Sequence, residues 1–275
     1  NHNLSATAVF SRREYTSGSA FTHYEENWVG RATYDLKGKY FLEASVAHTG
    51  SENFAPGLRF GTFPSTAAGW LLSEEKFFKD ALPWFNMFKI RYSWGIVGSD
   101  SGIARWLYLS EYSADGSWIG FGYPQTGYNT IQEGTIPVTD VTWEKAVKNN
   151  LGFELGFFQN MITVNLDLYD EKREDILQAR KRVPAWFGAG SITGNIGETK
   201  SHGFELELGF NKTLPGGLNL FASAYLTGNE SRVVFYDEPT TKPFNLSVEG
   251  KPVEIARLMS AYNPAAGMEV EGYYQ

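Results

Sequence analysis

The most constraining feature of this sequence is a stretch in which apolar and polar side chains alternate. Within residues 148–170 the apolar side chains occupy odd positions and then, after FQNM (158–161), even positions. Strict alternation of this length is typical of strands with one apolar and one polar face. The short break between the two runs indicates an antiparallel hairpin. The apolar set is Leu151, Phe153, Leu155, Phe157, Ile162, Val164, Leu166 and Leu168.

Similar patterns recur along the whole chain and predict an all-β fold. Many of the segments reach the ~9–11 residues that a tilted strand needs to cross a bilayer. Strands of soluble sheets are usually nearer ~5–6 residues. Strand length therefore favours a membrane protein. The segments lie at 2–10, 25–36, 39–49, 58–71, 86–98, 141–157, 161–170, 196–211 and 217–229.

The connections between these segments alternate in kind. Short turns at 36–38, 158–160 and 211–217 are separated by longer polar or aromatic links, as in up-and-down outer-membrane barrels with short periplasmic turns and long outer loops. The sequence thus predicts part of a transmembrane antiparallel up-and-down β-barrel, with about nine or ten strands of a larger barrel. The longer links lie at 11–24, 50–57, 99–140, 171–195 and after 230.

One link on the short-turn side, residues 73–86, is longer than the others. Ser73 precedes Glu74 and Glu75, which is the pattern of an N-cap with acids in the first helical turn. We expect one or two helical turns here, at the periplasmic rim.

Composition excludes several classes of function. A net charge of −7 with no dense Lys/Arg run argues against nucleic acid as a partner. The absence of Cys rules out disulfides and thiolate metal sites, and the four His residues show no metal-ligand spacing. No catalytic motif is found. The sequence predicts no metal site, no cofactor and no enzymatic activity.

The polar positions of the alternating segments carry several charges. Paired carboxylates on such a face could act as acid and base in glycoside hydrolysis. The alternation favours the simpler interpretation that they face a watery lumen, where cross-strand ion pairs offset part of the acidic charge. The predicted lumen-facing set is Arg31, Lys89, Arg91, Glu154, Asp167, Glu205 and Glu207.

Aromatic side chains fall into two groups. Those in the outer loops have rings that stack on sugars or anchor peptides, and they are the candidate substrate-binding set; the alternative is packing within the loops. Those at strand ends suit the aromatic girdles of a barrel, and here we expect Trp28, Trp143, Phe157, Phe158 and Tyr40. The loop set is Trp106, Tyr108, Tyr112, Trp118, Tyr123 and Trp186.

Four motifs in order carry a family resemblance over roughly residues 25–230. They are NWVGRATYDLKGKYFLEASVAHTGSENFAPGLRFGTFPSTAAGWLLSEEKF, FKIRYSWGIVGSD, VTWEKAVKNNLGFELGFFQNMITVNLDLYDEKREDIL and NIGETKSHGFELELGF. Together they resemble the barrel of SusC-like TonB-dependent transporters of Bacteroidetes outer membranes. The resemblance implies an importer of oligosaccharides or peptides in the bacterial outer membrane, working with a SusD-like surface lipoprotein as lid and energised by TonB.

The resemblance also sets expectations for domain organisation. Residues 1–275 are expected to be part of a single transmembrane β-barrel domain embedded in the lipid bilayer, with the amino-terminal plug that contacts TonB and the final strands absent. Two other interpretations remain open. One is a passive outer-membrane pore or adhesin-type barrel, and the other is a soluble carbohydrate-binding β-protein.

Overall fold

A computed structural model describes residues 2–18, 21–114, 119–123, 126–187, 192–243 and 246–253. Nine long strands form one sheet in which every strand pairs antiparallel with its neighbour in chain order. This is the all-β, up-and-down arrangement that the alternation predicts. The strands are β1 (His2–Tyr15), β2 (His23–Leu36), β3 (Tyr40–Ser51), β4 (Phe60–Leu71), β5 (Phe85–Ser99), β6 (Glu144–Phe157), β7 (Ile162–Ala179), β8 (Thr193–Thr213) and β9 (Asn219–Phe235).

The opening stretch of alternation forms the β6–β7 hairpin. Phe153 lies opposite Leu166, and Glu154 lies opposite Asn165. Because side chains alternate with a period of two, this single register places the whole apolar set on one face and the polar set on the other. The predicted hairpin is confirmed.

The apolar face, here called the outer face, is largely open. At the lower end Phe78 of helix α1 (Lys76–Ala81) packs against Phe85 and Phe88 of β5, with ring centroids 5.4 and 5.7 Å apart. Farther up, Leu42 is 55% exposed and Leu226 is 57% exposed. Large apolar side chains left open over many strands are expected where lipid, and not protein, covers a sheet. Phe153 and Val164 are likewise only partly buried.

The connections lie at two ends of the sheet. At the lower end they span 37–39, 72–84, 158–161 and 214–218, and at the upper end 16–22, 52–59, 100–143 and 180–192. The 100–143 connection contains two short ladders, Tyr112–Ser113 with Gln132–Glu133 and Ile119–Phe121 with Thr126–Tyr128. A short 3₁₀ turn, Ala185–Phe187, lies in the last of the upper loops.

Three predicted links are shorter than expected because the strands continue into them. Residues 171–195 were expected to form a loop, but β7 extends to Ala179 and β8 begins at Thr193. Charged residues on both faces hide the alternation here. They remain in the strands because they pair across them: Lys172 Nζ lies 3.5 Å from Glu198 Oε2. The loop prediction is therefore wrong for residues 171–179 and 193–195, and β1, β2 and β9 similarly run past their predicted upper ends.

The core is small and lies at the upper end of the sheet. It forms where the 52–59 and 100–143 loops fold back onto β4, and it includes Trp143, which packs on Phe54 at 4.8 Å and on Phe63 at 5.4 Å. Trp143 is only 5% exposed, so its assignment to an aromatic girdle is wrong. Trp28 does lie on the outer face, 51% exposed and packed on Phe10. The core residues are Phe54, Phe63, Ile103, Val138, Val141 and Trp143.

Aromatic side chains gather at the lower end. The ring centroid of Trp84 lies 5.9 Å from those of both Phe157 and Phe158, and the centroids of Phe157 and Phe85 are 4.4 Å apart. Tyr40 and Trp70 on neighbouring strands stack at 6.3 Å. Rings beside short turns have the position of an interfacial girdle.

The 72–84 link is helical, as expected, but its cap differs. Leu72–Glu74 forms a 3₁₀ turn that contains Ser73, and Glu75 precedes helix α1 without a side-chain capping bond. Ser73 is buried inside the turn, so the N-cap prediction is wrong. Glu75 instead accepts hydrogen bonds from Tyr40 Oη at 2.7 Å and Lys39 Nζ at 3.1 Å. These bonds lower the pKa of Glu75, the Tyr40 hydroxyl contributing most.

Within the described ranges, no helix has the length and apolar character that a membrane span requires.

Candidate functional site

The face opposite the apolar one, here called the inner face, brings the predicted polar residues together. Arg91 of β5 lies opposite Gly152, which lies opposite Asp167 and then Glu205. One row lower, Lys89 lies opposite Glu154, Asn165 and Glu207 in turn. Six charged residues from four neighbouring strands therefore form two adjacent rows. The alternating sequence predicted their common face, but not which charges would meet.

Arg91 is at the centre of this charge network. Its Nε donates to Glu154 Oε1 at 3.0 Å and its Nη2 donates to Asp167 Oδ2 at 2.6 Å. Lys89 Nζ also lies 3.4 Å from Glu154 Oε1. An arginine fork that engages two carboxylates fixes their orientation far better than a point charge does. The two carboxylates are thus held as ion pairs on the wall.

Gly152 makes this reach possible. A Cβ added at Gly152 would lie 2.6 Å from both Cζ and Nε of Arg91. A glycine within a strand commonly marks a close approach of another group to the backbone. The Arg91 side chain therefore lies flat over β6 and reaches Asp167 on the strand beyond it.

The remaining charges of the predicted set have looser surroundings. Arg31 Nη2 donates to Glu43 Oε2 at 2.8 Å on the next strand. Glu207 accepts from Asn165 Nδ2 at 3.1 Å, whereas Glu205 is exposed on the same face of β8. Glu205 and Glu207 thus leave the lower inner face with acidic charge beyond what Lys89 and Arg91 offset.

Above the charge network the inner face becomes rich in hydroxyl groups. Arg31, Ser45, Ser65 and Gly95 are successive partners across β2–β5, and Lys148 of β6 follows them. Ser45 and Ser65 hydrogen-bond through their hydroxyls at 2.6 Å. A cavity of about 520 Å³ opens over this row, here called the wall cavity. Its inner-face lining includes Glu43, Ser45, Phe63, Ser65, Ser93, Gly95, Trp143, Lys148 and Asn150.

Arg105 ties the upper loops together. Its guanidinium donates to the backbone carbonyls of Phe21 at 2.9 Å and Thr22 at 2.6 Å, and it pairs with Glu52 at 2.9 Å. His23 Nδ1 lies 3.0 Å from the same Glu52 oxygen. Three loops thus converge on one half-buried arginine, here called the Arg105 clasp. Arg105 was not among the predicted residues, because nothing in the local sequence pattern marks it.

A second cluster fixes the segment after β9. The buried Asp237 accepts from the backbone N of Lys181 at 2.8 Å, which joins this segment to the 180–192 loop. Glu238, also buried, accepts from Lys242 at 2.7 Å and from Ser247 Oγ at 2.6 Å. Burial acts to raise the pKa of Glu238, but these bonds and one from the Val248 amide outweigh it, and the pKa lies below its ordinary value.

The structure does not gather the predicted loop aromatics into one site. Trp106 is half-buried, packs edge-on against Phe21 at 5.1 Å and carries the Arg105 guanidinium over its ring at 4.2 Å. Tyr108 is also half-buried, and Tyr112 is exposed. Tyr123 and Trp186 are exposed as well, and Trp118 lies outside the described residues. Ligand contact by this set stays a prediction.

Where the structure describes the chain, no three His, Asp or Glu side chains are placed to hold a metal ion.

Comparison with known proteins places this sheet in a family. The family model for the TonB dependent receptor-like β-barrel matches residues 4–262. TonB-dependent receptor SusC of Bacteroides thetaiotaomicron is 28% identical over 207 residues, which cover 75% of this chain and 20% of that protein. TonB-dependent receptor P39 of Formosa agariphila is 31% identical over 197 residues, 70% of this chain and 18% of that protein. The chain thus spans about a fifth of the length of these relatives.

Solved structures show the same fold. The RagAB peptide importer in its closed-closed state matches with a TM-score of 0.67 at 19% identity, over 84% of this chain and 25% of that one. The open-open state gives a TM-score of 0.67 at 20% identity, over 82% of this chain and 25% of that one. The expected resemblance to SusC-like receptors is confirmed, and the chain belongs to the TonB-dependent receptor β-barrel family of the bacterial outer membrane.

Proposed function

We propose that this chain is part of the barrel wall of an outer-membrane nutrient importer that is energised through TonB. The observation that carries the proposal is the division of one continuous sheet into two faces. The outer face exposes large apolar side chains, and the inner face carries cross-strand rows rich in charged and hydroxyl side chains. A wall of this kind separates lipid from a hydrated path for a polar solute.

The cargo and partners of the whole protein follow from its relatives as proposals. Relatives are named as TonB-dependent receptors, and the structural neighbours as a peptide importer. We propose that the full-length protein takes up oligosaccharides or peptides, couples to TonB through a plug domain and works with a SusD-like surface lipoprotein. These remain the cargo classes that the sequence resemblance implies.

A transport role fits the inner face better than a catalytic one. A glycosidase pair needs one carboxylic acid and one free carboxylate flanking the scissile bond. Here Arg91 engages both Glu154 and Asp167, and Lys89 adds a second cation beside Glu154. These contacts occupy both carboxylates, so neither is left free to act on a glycosidic bond. We therefore propose that these residues shape the electrostatics of the solute path.

Uptake by cells that produce the full-length protein tests the proposal. Radiolabelled oligosaccharides and peptides are supplied to cells with and without TonB. We expect accumulation of one cargo class against a gradient, and its loss in the cells without TonB. Uptake that continues unchanged without TonB would contradict the energised importer and favour the passive pore.

A further inference from the structure

We infer that the 72–84 link is a membrane-interface anchor that docks on phospholipids of the leaflet at the lower end of the sheet. In this arrangement the Phe77 side chain lies among acyl chains and the Lys76 ammonium group contacts headgroup phosphates. The inference concerns how the barrel is held in the bilayer, so it is independent of the proposed cargo and of TonB.

The link packs on the outer face of the sheet. Helix α1 contacts β5 through Phe78, whose ring centroid lies 5.7 Å from that of Phe88. Phe88 lies opposite Leu155, a member of the apolar set on the outer face. Phe78 itself is only 8% exposed. The helix therefore lies against the side of the sheet that faces lipid.

Glu75 attaches the link to the same face a second time. Its Oε1 accepts from Tyr40 Oη at 2.7 Å and lies 3.5 Å from Trp70 Nε1. Tyr40 and Trp70 lie opposite each other on β3 and β4, and Tyr40 shares the outer face with Leu42, two residues along. Contacts through Glu75 and Phe78 thus hold the start and the middle of α1 against the wall.

The helix that is held in this way presents a large apolar side chain outward. Phe77 is 64% exposed, although its neighbour Phe78 is buried. Successive residues of a helix are about 100° apart, so Phe77 and Lys79 project from opposite flanks of α1. Lys79 pairs with Glu74 at 2.6 Å on its own flank. A helix with one apolar and one charged flank suits a position in the plane of a membrane interface.

The ring of Phe77 adds to a surface of exposed aromatic residues at the lower end of the sheet. Trp84 lies in the same link, and Tyr40 and Trp70 lie on the strands that precede it; all three are exposed. Trp and Tyr side chains are enriched at the level of lipid headgroups. Because this surface adjoins the open apolar face above it, lipid is the occupant that covers both.

Lys76 supplies a charge for the headgroup. Its side chain is exposed, and within the described part of the chain it forms no ion pair, even with Asp80 one turn along α1. Glu74 and Glu75 pair with other lysines. A lysine at a membrane surface is attracted to anionic headgroups, whose charge is that of the phosphate. A phospholipid therefore complements both the exposed ring and the unpaired charge of this helix.

Fluorescence quenching in the full-length protein tests the location of the link. A bimane fluorophore is attached to a single cysteine, either Phe77→Cys or Lys79→Cys, and the protein is folded into phospholipid liposomes. We expect lipids with brominated acyl chains to quench the label at 77 at least 3-fold more than the label at 79, and aqueous iodide to show the reverse order. Quenching at 77 mainly by iodide would overturn the anchor. Protection of that label from both quenchers would also overturn it and would indicate a covering protein.

A second comparison tests the contact with phosphate. Liposomes contain equal amounts of phosphatidylglycerol and phosphatidylcholine, and only one of the two lipids is brominated in each sample. We expect brominated phosphatidylglycerol to quench the label at 77 about 2-fold more, because Lys76 enriches the lipid whose phosphate has no compensating charge. Lys76→Gln should abolish the difference, whereas Lys79→Gln, the same change on the opposite flank, should preserve it.

Equal quenching by the two lipids in the wild-type background, or a preference that survives Lys76→Gln, would overturn the role of Lys76. Uptake that depends on TonB would still support the importer in each of these cases.

Discussion

Arg91 on β5 reaches past the intervening strand β6 to Asp167 on β7, with 2.6 Å between Nη2 and Oδ2. On the way its Nε engages Glu154 at 3.0 Å. The side chain can take this path only because Gly152 leaves the surface of β6 bare. Three strands are thus joined by one cation on the inner face of the sheet.

Gly152→Ala tests this arrangement. The new methyl group would collide with the guanidinium, so Arg91 must leave Asp167. We expect the full-length protein to lose about 1–2 kcal/mol of stability, because charge-assisted hydrogen bonds on a partly exposed wall are broken. Gly30→Ala is the control, since its Cβ would lie 3.7 Å from Val46 Cγ1, an ordinary contact. Urea unfolding of both variants gives the comparison, and equal stabilities would contradict the role of Gly152.

We expect the upper loops to loosen together when the Arg105 clasp is broken. Arg105→Ala removes the donors to Phe21 and Thr22 and the partner of Glu52. We expect proteolytic cleavage in the 16–22 loop to become about tenfold faster, because cleavage follows the population of locally open states. Arg105→Lys should also make cleavage faster, since an ammonium group cannot reproduce the planar fork of donors that a guanidinium offers.

Arg12→Ala is the control for the clasp, because Arg12 is exposed and pairs with Glu14 on its own strand. Wild-type cleavage rates in Arg105→Ala would show that the loops hold their positions without it.

We expect Glu75 to make a pH-dependent contribution to the stability of the protein at the lower end of the sheet. Its pKa is lowered in the folded protein, first by the Tyr40 hydroxyl and then by Lys39. A lowered pKa means that the ionised form is favoured in the native state, so its stabilisation is present above the ordinary pKa of Glu and is lost as pH falls through the folded value. We expect Glu75→Gln to destabilise the protein at pH 7 and to match wild type at the acid end.

Thermal unfolding between pH 3 and pH 7 measures this difference. Glu74→Gln serves as control, since Glu74 pairs with the exposed Lys79 of the same link. A gap between wild type and Glu75→Gln that stays constant across the pH range would contradict the assignment.

We expect a charge introduced on the outer face to impair folding much more than the same charge at the neighbouring position on the inner face. Leu166→Arg places a charge on the apolar face, where a position at mid-membrane costs about 2–4 kcal/mol. Asn165→Arg places the same charge on the inner face, beside Glu207. We expect the first variant to fold poorly into liposomes and the second to fold like wild type. Equal folding yields would indicate that both faces meet water.

Much of the fold could be predicted from sequence because the physical rule behind it is local. A period of two fixes which side chains share a face, and it identified all nine strands and the common face of Arg91, Glu154 and Asp167. The rule failed where both faces are polar. In the upper part of β7 and β8 the alternation disappears although cross-strand pairs such as Lys172–Glu198 link the two strands.

Contacts between distant segments could not be read from local pattern. Trp143 immediately precedes β6, and the alternation assigns it to the apolar face, where a girdle residue would lie. In the structure Phe54 of the 52–59 loop packs against Trp143 and buries it. Arg105 and Ser45 have unremarkable neighbours in sequence, and only the folding of the loops and the register of β3 and β4 give them partners. The aromatic residues of the upper loops are abundant in the sequence, yet the structure does not bring them together.

Spin labelling tests whether one face of this sheet meets lipid and the other meets water. The chain contains no Cys, so introduced cysteines are the only thiols in this part of the protein. Labels are placed at Phe153 and Leu166 on the outer face and at Glu154 and Asn165 on the inner face of the full-length protein in liposomes. We predict that the first two collide mainly with oxygen, which dissolves in lipid, and the last two mainly with a water-soluble nickel chelate. The same accessibility at all four positions, or the reverse order, would contradict the account.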